Sequence, residues 1–326
     1  MIEIREEMCR EMSEQKRVDV VILTHQPDER FREELRRLKQ QRYPVGQIYV
    51  INTRSKSFPK EVARMEGVSV THIEPEEFDH GGTRDLGFRL SDAELLVFMT
   101  QDALPADKDM IGELVKPLLA SKGVGVSYAR QLPAKGCDEI ERYTRIFNYP
   151  PKARVKGKED LPVMGIKTFF CSDVCAAYQR TVYREMGGFT RRTIFNEDMV
   201  IAAKMVKAGY QVAYAAKARV IHSHNYSGRQ QFQRNFDLAV SQADHPEVFK
   251  GIRSEAEGIR MVRDTALYLL KKGRWYLLPV LLYKSGCKYL GYKAGQNYRK
   301  MPLWMVKRCS ASKAYWEKYA ENNICN

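Results

Sequence analysis

The stretch Leu96-Val97-Phe98-Met99-Thr100-Gln101-Asp102-Ala103-Leu104-Pro105 contains four apolar residues that lead directly into a short polar turn. An uninterrupted apolar run is typical of a strand buried on both faces, as in a parallel sheet. Pro105 has no N–H to donate and ends the ladder of this strand. The pattern predicts that Asp102 lies at the carboxyl end of a central strand, where open α/β sheets bind ligands. Asp102 can hold a hard cation there, or it can simply cap the next turn.

The segments before this strand alternate between strand and helix patterns. Strand patterns occupy residues 18–23, 47–52 and 68–71, and helix patterns follow the first two of them. This order predicts an α/β fold with a mainly parallel sheet, flanked by helices, whose strands end in polar loops on one edge. Thr24 follows the first strand at that edge, and Asn52 ends the second.

Gly81 and Gly82 precede a helix pattern that we expect to begin near Thr83. Two adjacent glycines permit a tight backbone or the close approach of a ligand. Arg84 would lie in the first turn of this helix, near the edge from which Asp102 emerges. A cation at that position suits a diphosphate, although a solvated arginine at a helix start has the same pattern.

The segment 130–165 contains four prolines and many charges, and it predicts a long irregular excursion. Long ordered loops in compact domains are usually functional. Farther on, Asn196 is expected to cap a helix, with Glu197 and Asp198 in its first turn, where acids complement the helix dipole. One of these acids can also face the cleft as a general base, because capping and catalysis are compatible.

Short strands predicted at 211–214 and 218–221 lead into His222-Ser223-His224. A single histidine on a strand is more often structural. Two histidines that alternate with a polar residue at a strand end, in a chain with only six, favour a ligand site.

The composition, with 44% hydrophobic and 29% charged residues, is that of a globular protein, and the formal net charge is +14. Residues 246–326 hold 16 Lys and Arg against 6 Asp and Glu, whereas residues 1–245 are nearly balanced. The basic excess therefore predicts an anionic partner surface for the last quarter. Seven irregularly spaced cysteines indicate reduced thiols of a cytosolic protein, and residues 1–17 lack the apolar core of a signal peptide.

Taken in order, these segments resemble the family 2 glycosyltransferases over roughly residues 18–230, and in particular the bacterial rhamnosyltransferase branch. The resemblance lies in the turn at Thr24, Asn52, Gly81–Gly87, Thr100–Ala103, Gly187–Phe189 with Asn196–Asp198, and His222–Ser227. Two positions depart from the family pattern. Thr100 stands where most members have the first Asp of the metal-binding motif, and Asp85 stands where Asn is usual.

The resemblance implies a glycosyltransferase A-type fold and inverting transfer from a nucleotide-diphosphate sugar, most often dTDP-L-rhamnose in this branch. It implies Asp198 as the base, with Glu197 beside it, and Mg²⁺ or Mn²⁺ held by Asp102 with His222 or His224. It also implies that Ser172 and Asp173 lie on the acceptor side. The residues implied to bind the donor are Thr24, Asn52, Gly82, Arg84, Gln101 and Asp102.

We expect a polar segment at 1–17, a catalytic domain at 18–245 and a basic, aromatic-rich helical region at 246–326. The apolar stretch Trp275–Tyr283 is too short to span a bilayer, which takes about 20 residues. Basic and aromatic residues around short apolar helices suit a membrane interface. The expectation is a peripheral protein on the inner face of a bacterial membrane, acting on a saccharide acceptor that is carried on a lipid.

Other hypotheses remain open at this stage. The helical region can instead pack on the catalytic domain or on a partner subunit, including a second copy of the chain. The donor can be another nucleotide sugar, such as a UDP-hexose. Nucleic-acid binding is permitted by the net charge, but no motif for it is present and no nucleic acid is expected. A scaffold without activity is disfavoured by the intact Asp102, Asp198 and histidines.

Overall fold

A computed structural model describes residues 16–251 and 255–324 of the chain. The strands are β1 (Val18–His25), β2 (Ile48–Thr53), β3 (Val68–Ile73), β4 (Leu95–Thr100), β5 (Leu104–Pro105), β6 (Val124–Leu132), β7 (Arg154–Lys156), β8 (Cys175–Gln179) and β9 (Gln211–Ile221). The α-helices are α1 (Glu29–Leu38), α2 (His80–Leu90), α3 (Met110–Ala120), α4 (Glu139–Asn148), α5 (Leu161–Met164), α6 (Arg180–Glu185), α7 (Glu197–Lys207), α8 (Gly228–Asp244), α9 (Pro246–Phe249), α10 (Glu255–Lys271), α11 (Leu278–Gln296), α12 (Leu303–Cys309) and α13 (Lys313–Ile324).

The strands form one mixed sheet in the order β3-β2-β1-β4-β8-β6-β9-β5, with β7 along β9. The first four are parallel, β8 is antiparallel to both β4 and β6, and β9 is parallel to β6. Six strands (β1, β2, β3, β4, β6 and β9) therefore end at the same edge, and β8 begins there. We call this edge the carboxyl edge. The predicted α/β fold with a mixed sheet is confirmed.

Helices cover both faces of the sheet, as the double-sided burial of the strands requires. On one face, α1 and α3 bury apolar side chains such as Phe31, Leu35 and Leu114. On the other face, α2, α6 and α7 contribute side chains such as Tyr183 and Val200. The two cores leave the carboxyl edge free for polar side chains.

The segment 130–165 is more regular than the sequence predicts. β6 runs on to Leu132, and α4 begins at Glu139 after Asp138, whose carboxylate accepts the Glu141 N–H at 2.7 Å. The prolines lie outside α4 and so do not interrupt it. The two short strands expected at 211–221 are one strand, β9, which stays paired with β6 through a register shift.

The described part of the C-terminal region packs on the catalytic region. α11 lies against α8, and a side chain at Gly291 would overlap the carbonyl oxygen of Phe232. Leu281 of α11 also joins Ile140 and Leu269 in a small apolar cluster. No helix within residues 16–251 and 255–324 has the length and apolar character needed to cross a bilayer. The polar segment predicted at 1–17 lies outside the described residues except for its last two, and the domain boundaries stay predictions.

Candidate active site

The carboxyl edge brings Asp102, which follows β4, next to His222 and His224, which follow β9. His222 Nε2 lies 3.5 Å from Asp102 Oδ1, His224 Nε2 lies 3.3 Å from Asp102 Oδ2, and the two Nε2 atoms are 3.0 Å apart. The three ligand atoms lie within 4.8 Å of one another, so one metal ion could contact all of them. The hydroxyl of Thr100 donates to Asp102 Oδ1 at 3.0 Å, so this residue orients the carboxylate instead of adding a second one.

A buried glutamine fixes the tautomer of His222. Gln131 Oε1 faces both a guanidinium nitrogen of Arg145 and His222 Nδ1, the latter at 3.0 Å. Arginine has only donors, so the glutamine atom that faces it must be the oxygen. His222 Nδ1 therefore carries the hydrogen, and its Nε2 presents a lone pair toward Asp102. An imidazole lone pair that faces a carboxylate in this way, backed by a hydrogen bond at the far ring nitrogen, fits a metal ion.

The protonation state of the two histidines also fits a metal. Burial lowers the pKa of His222 to about 3 and lowers that of His224, although the carboxylate of Asp102 acts in the opposite direction. Both rings are therefore neutral near pH 7, and the neutral imidazole is the form that binds metal.

Gln131 also connects this cluster to the predicted acceptor side. Its Nε2 donates to Ser172 Oγ at 3.0 Å, and the side chain is almost fully buried. Sequence reasoning missed Gln131 because it placed the residue in an irregular segment. The extension of β6 to Leu132 is what brings it to the carboxyl edge.

A second cluster contains Arg84 of α2, Asp173 before β8 and Glu197 at the start of α7. Arg84 Nη1 lies 2.8 Å from Glu197 Oε1, and Arg84 Nε lies 3.1 Å from Asp173 Oδ2. All three side chains are less than 10% exposed. Removing one of these charges would leave its buried partners uncompensated. The ion pairs therefore hold α2, the segment before β8 and the start of α7 in fixed relative positions.

Asp198 lies beside this cluster and is partly exposed. Its carboxylate accepts the backbone N–H of Asp173 at 3.2 Å. Burial, together with the negative charges of Glu197 and Asp173, holds the pKa of Asp198 well above its usual range. Burial also tends to raise the pKa of Glu197, but Arg84 and His80 bring it below its usual value. Of the two adjacent acids, Asp198 is therefore the better proton acceptor near neutral pH.

Arg84 lies near the carboxyl edge, where the carboxylates of Asp173, just before β8, and of Glu197 hold its guanidinium. α2 begins at His80, three residues before the predicted start, because Asp79 caps it by accepting the Gly82 N–H at 2.7 Å. Contact between a diphosphate and either Gly82 or Arg84 stays a prediction.

The start of α2 is also fixed against the segment that leads to Glu197. A side chain at Gly81 would overlap the carbonyl oxygen of Thr190, so only glycine fits there. Asp85, which replaces the usual Asn, accepts the hydroxyl of Tyr183 and the N–H of Phe189. Its role is thus to anchor the loop after α6.

Asn196 does not cap α7 with its side chain as predicted. It occupies the left-handed region at φ 64°, which asparagine tolerates, and its amide donates to the carbonyl of Leu238 at 3.4 Å. The residue therefore turns the chain into α7 and ties it to α8.

The predicted nucleoside residues form a chain of hydrogen bonds at the ends of the first three strands. The hydroxyl of Thr24 donates to Asn52 Oδ1 at 3.0 Å, and Asn52 Nδ2 lies 3.0 Å from His72 Nδ1. Thr24 and Asn52 are buried, whereas His72 is exposed. No motif marks His72 in the sequence, and it is the parallel pairing of β2 and β3 that places this residue beside Asn52.

Gln101 closes the turn after β1. Its amide accepts the backbone N–H of His25 at 2.8 Å and donates to the same residue's carbonyl at 3.0 Å. Both polar atoms are thus occupied, and its contact with a donor stays a prediction.

Arg234 on α8 is a further cation that sequence reasoning missed. Its guanidinium carbon lies 4.7 Å from the ring centre of Tyr226 and 5.3 Å from that of Phe195. Among the described residues no carboxylate pairs with it. Burial is the main cause of the lowered pKa of His80 and of His224, and the positive charge of Arg234 lowers both further.

The chain matches the family described as Glycosyl transferase family 2 over residues 19–187. It is 38% identical over 315 residues to the O-antigen chain rhamnosyltransferase RfbN of Salmonella typhimurium, covering 94% of this chain and 97% of that protein. It is 37% identical over 281 residues to the O-antigen chain rhamnosyltransferase WbaN of Salmonella anatum, covering 86% of this chain and 87% of that protein. The similarity therefore includes the C-terminal quarter, which lies outside the family match.

Solved structures support the same fold. The mannosyltransferase PcManGT from Pyrobaculum calidifontis, in complex with GDP-Man and Mn²⁺, superposes with a TM-score of 0.54 at 16% identity, covering 95% of this chain and 87% of that one. TarS residues 1–349 from S. aureus, in complex with UDP-GlcNAc, superposes with a TM-score of 0.50 at 12% identity, covering 87% of this chain and 92% of that one. At these identities the likeness concerns the fold alone, and it confirms the expected glycosyltransferase A type.

Proposed function

Because the chain belongs to the family 2 glycosyltransferases, we propose that it transfers L-rhamnose from dTDP-L-rhamnose, with inversion, to a saccharide acceptor of a bacterial surface polysaccharide. The observation that carries this proposal is the presence of two clusters on one sheet edge of a chain that resembles two O-antigen rhamnosyltransferases. Asp102 with two histidines offers a metal site, and Asp198 beside Glu197 offers a base.

Asp198 is the proposed base. The acceptor hydroxyl attacks the anomeric carbon from the side opposite the diphosphate, the new C–O bond forms, and the bond to the diphosphate oxygen breaks. The hydroxyl proton passes to the carboxylate of Asp198. General-base assistance of this kind contributes roughly 10²–10⁴-fold. The raised pKa of Asp198 suits the role, because a carboxylate with a higher pKa binds the transferred proton more strongly.

Arg84 and Glu197 act by positioning. Glu197 is the first residue of α7, so its ion pair with Arg84 fixes the start of the helix that carries Asp198. Asp173 binds the same guanidinium and donates its backbone N–H to Asp198. The base is thus oriented from two sides, by the ion pair at the start of α7 and by the backbone N–H of Asp173.

The residues present fit a divalent cation held by Asp102, His222 and His224. Such a cation, when bound, would neutralise the charge that develops on the leaving diphosphate. Two neutral imidazole nitrogens and one carboxylate form a mixed donor set, and Mg²⁺ prefers oxygen ligands alone. We therefore favour Mn²⁺ over Mg²⁺ for this site.

The remaining polar groups of the carboxyl edge divide between the two ends of the donor. Thr24, Asn52 and His72 lie at the strand ends where a nucleoside would bind. Arg234, which no carboxylate neutralises within the described residues, offers a charge to the diphosphate. The acceptor would enter beside Ser172 and Asp173, next to the base.

The experiment is nucleotide release from a panel of sugar nucleotides, namely dTDP-L-rhamnose, GDP-mannose and UDP-hexoses, with saccharide acceptor present. Each donor is tested with Mn²⁺, Mg²⁺ or EDTA, on the wild type and on Asp102→Ala. The proposal predicts metal-dependent release of dTDP alone, lost in the variant. Selective release of UDP from a UDP-hexose would support the same reaction class and overturn the assignment of dTDP-L-rhamnose as the donor. Release that persists in EDTA would overturn the metal site.

Relatives that build O-antigen chains also suggest where the acceptor is. We propose a cytoplasmic protein that works at the inner face of the cell membrane on a lipid-carried saccharide. This location follows from the proposed substrate and is tested by fractionation of cells that produce the full chain.

A further inference from the structure

Helix α11 is apolar on both sides, yet the catalytic region covers only one of them. Leu281, Gly291 and Gly295 are buried on the inner side. The outer side presents four large apolar or aromatic side chains, each more than half exposed, at positions that share one helix face. These are Leu282, Tyr283, Tyr289 and Leu290. A group of large apolar side chains exposed together on one helix face marks a surface that binds another apolar body.

Two aromatic residues and a run of basic residues extend this surface. Trp275 is 67% exposed and Tyr276 is 50% exposed, immediately before α11. We define the outer α11 face as Trp275, Tyr276 and the four exposed residues of α11. Residues 265–316 contain eleven Lys and Arg and no Asp or Glu. Lys284 and Arg299 are paired within the chain, whereas Lys271, Lys272 and Arg274 are exposed just before Trp275. The partner of this face must therefore accept apolar groups with positive charge beside them.

We propose that the outer α11 face binds the surface of an anionic lipid bilayer, with α11 lying in the plane of the interface. Leucines would enter the boundary of the acyl chains, while Trp and Tyr suit the depth of the headgroups. The flanking lysines and arginines would meet anionic headgroups, which attract basic segments next to a membrane. Binding of this kind does not require a helix that spans the bilayer, and no helix in the described ranges is suited to cross one.

A second copy of the chain is the main competing occupant, and charge argues against it. Two copies that faced each other across α11 would bring together two basic segments, because residues 265–316 of each copy hold eleven Lys and Arg and no Asp or Glu. Such like-charge contact opposes association.

The inner side of α11 connects this surface to the candidate active site. Lys284 Nζ lies 2.9 Å from Asp138, which caps α4. α4 carries Arg145, whose guanidinium contacts Gln131 behind His222. Binding through the outer face would thus hold the carboxyl edge at a fixed position relative to the membrane. The inference does not depend on the identity of the donor sugar.

The test is flotation of the full chain with vesicles of phosphatidylcholine, with or without phosphatidylglycerol, at physiological salt. The face variant carries Ser at Leu282, Tyr283, Tyr289 and Leu290. The matched control carries Ser at Leu119 and Val163, which are exposed apolar residues elsewhere on the surface. We expect the wild type and the control to float with the anionic vesicles only, and the face variant to lose about tenfold or more of its bound fraction.

A second variant, with Lys271→Glu and Lys272→Glu, keeps the apolar residues and should also lose binding. It preserves the test if the serine variant fails to fold, which circular dichroism will reveal. Failure of the wild type to float, or unchanged flotation of both variants, overturns the proposal. Concentration-dependent dimers of the wild type that do not float would identify the face as a contact between copies. Nucleotide release is measured separately, so failure here leaves the proposed reaction untouched.

Discussion

Arg84 Nη1 lies 2.8 Å from Glu197 Oε1, and this ion pair separates the roles of two adjacent acids. Arg84 keeps the pKa of Glu197 low against the effect of burial, while burial and the charge of Glu197 raise the pKa of Asp198. Neighbouring carboxyl groups whose environments move their pKa values apart are a common way to obtain one charged and one proton-accepting group.

Glu197→Gln should shift the acidic limb of the pH–rate profile to lower pH. Asp198 must be ionised to accept a proton, so the rate rises with pH through its raised pKa. Removing the charge of Glu197, and freeing Arg84 to act on Asp198, lowers that pKa. The measurement is kcat against pH, with the exposed Glu66→Gln as control. An acidic limb that moves to higher pH, or that does not move, would contradict the assignment of Asp198.

Gln131→Leu should weaken Mn²⁺ binding by roughly 10–100-fold, the usual effect of losing a hydrogen bond behind a metal ligand. The leucine can no longer fix the tautomer of His222. Calorimetric titration with Mn²⁺ measures the effect. Ser172→Ala is the matched control, because it removes the other contact of Gln131 and leaves His222 untouched. Equal losses in both variants would argue against the tautomer mechanism.

His72→Ala should weaken dTDP binding by roughly 3–10-fold, the equivalent of about one hydrogen bond. The reason is that His72 Nδ1 lies 3.0 Å from Asn52 Nδ2, so its loss frees the amide of Asn52 to rotate. Calorimetry with dTDP checks the change, and Mn²⁺ affinity should stay the same. An unaltered affinity for dTDP would exclude His72 from the nucleoside site.

Gly291→Ala should destabilise the fold by about 1–3 kcal/mol, as overpacking does. Its added Cβ would overlap the backbone of α8 at Phe232, which cannot give way as a side chain can. Gly286→Ala on the same helix is the matched control, since open space surrounds it and alanine favours a helix. Chemical denaturation distinguishes the two variants. Equal stability would show that α8 and α11 pack less tightly than the overlap at Gly291 indicates.

The strand ends were predictable because periodicity and chain order act locally. The apolar runs at 18–23, 47–52 and 96–99 indicated buried strands, and parallel pairing then placed Thr24, Asn52 and Asp102 at one edge. The alternation of His222 and His224 likewise identified a ligand pair next to Asp102. The strand ends followed from local pattern alone, whereas the pairing of the histidines with Asp102, which is distant in the chain, was implied by the family resemblance.

The partners of Arg84 could not be predicted, because they depend on how α2 packs against α7. Gln131 and Arg234 were missed for a related reason, since each lies in a segment whose local pattern carries no chemical motif. α4 was missed because the prolines of 130–165 suggested irregular structure, although they lie outside the helix itself. Asp85 was noticed as unusual, and only its contacts with Tyr183 and Phe189 explain it.

The central claim is tested most directly by comparing Asp198→Asn with the wild type in two measurements. One is the rate of dTDP release from dTDP-L-rhamnose with saturating acceptor, and the other is donor affinity by calorimetry. The account predicts a rate lower by roughly 10²–10⁴-fold with donor affinity unchanged. A variant that keeps most of its turnover, or that loses donor binding and turnover together, would contradict the assignment of Asp198 as the base.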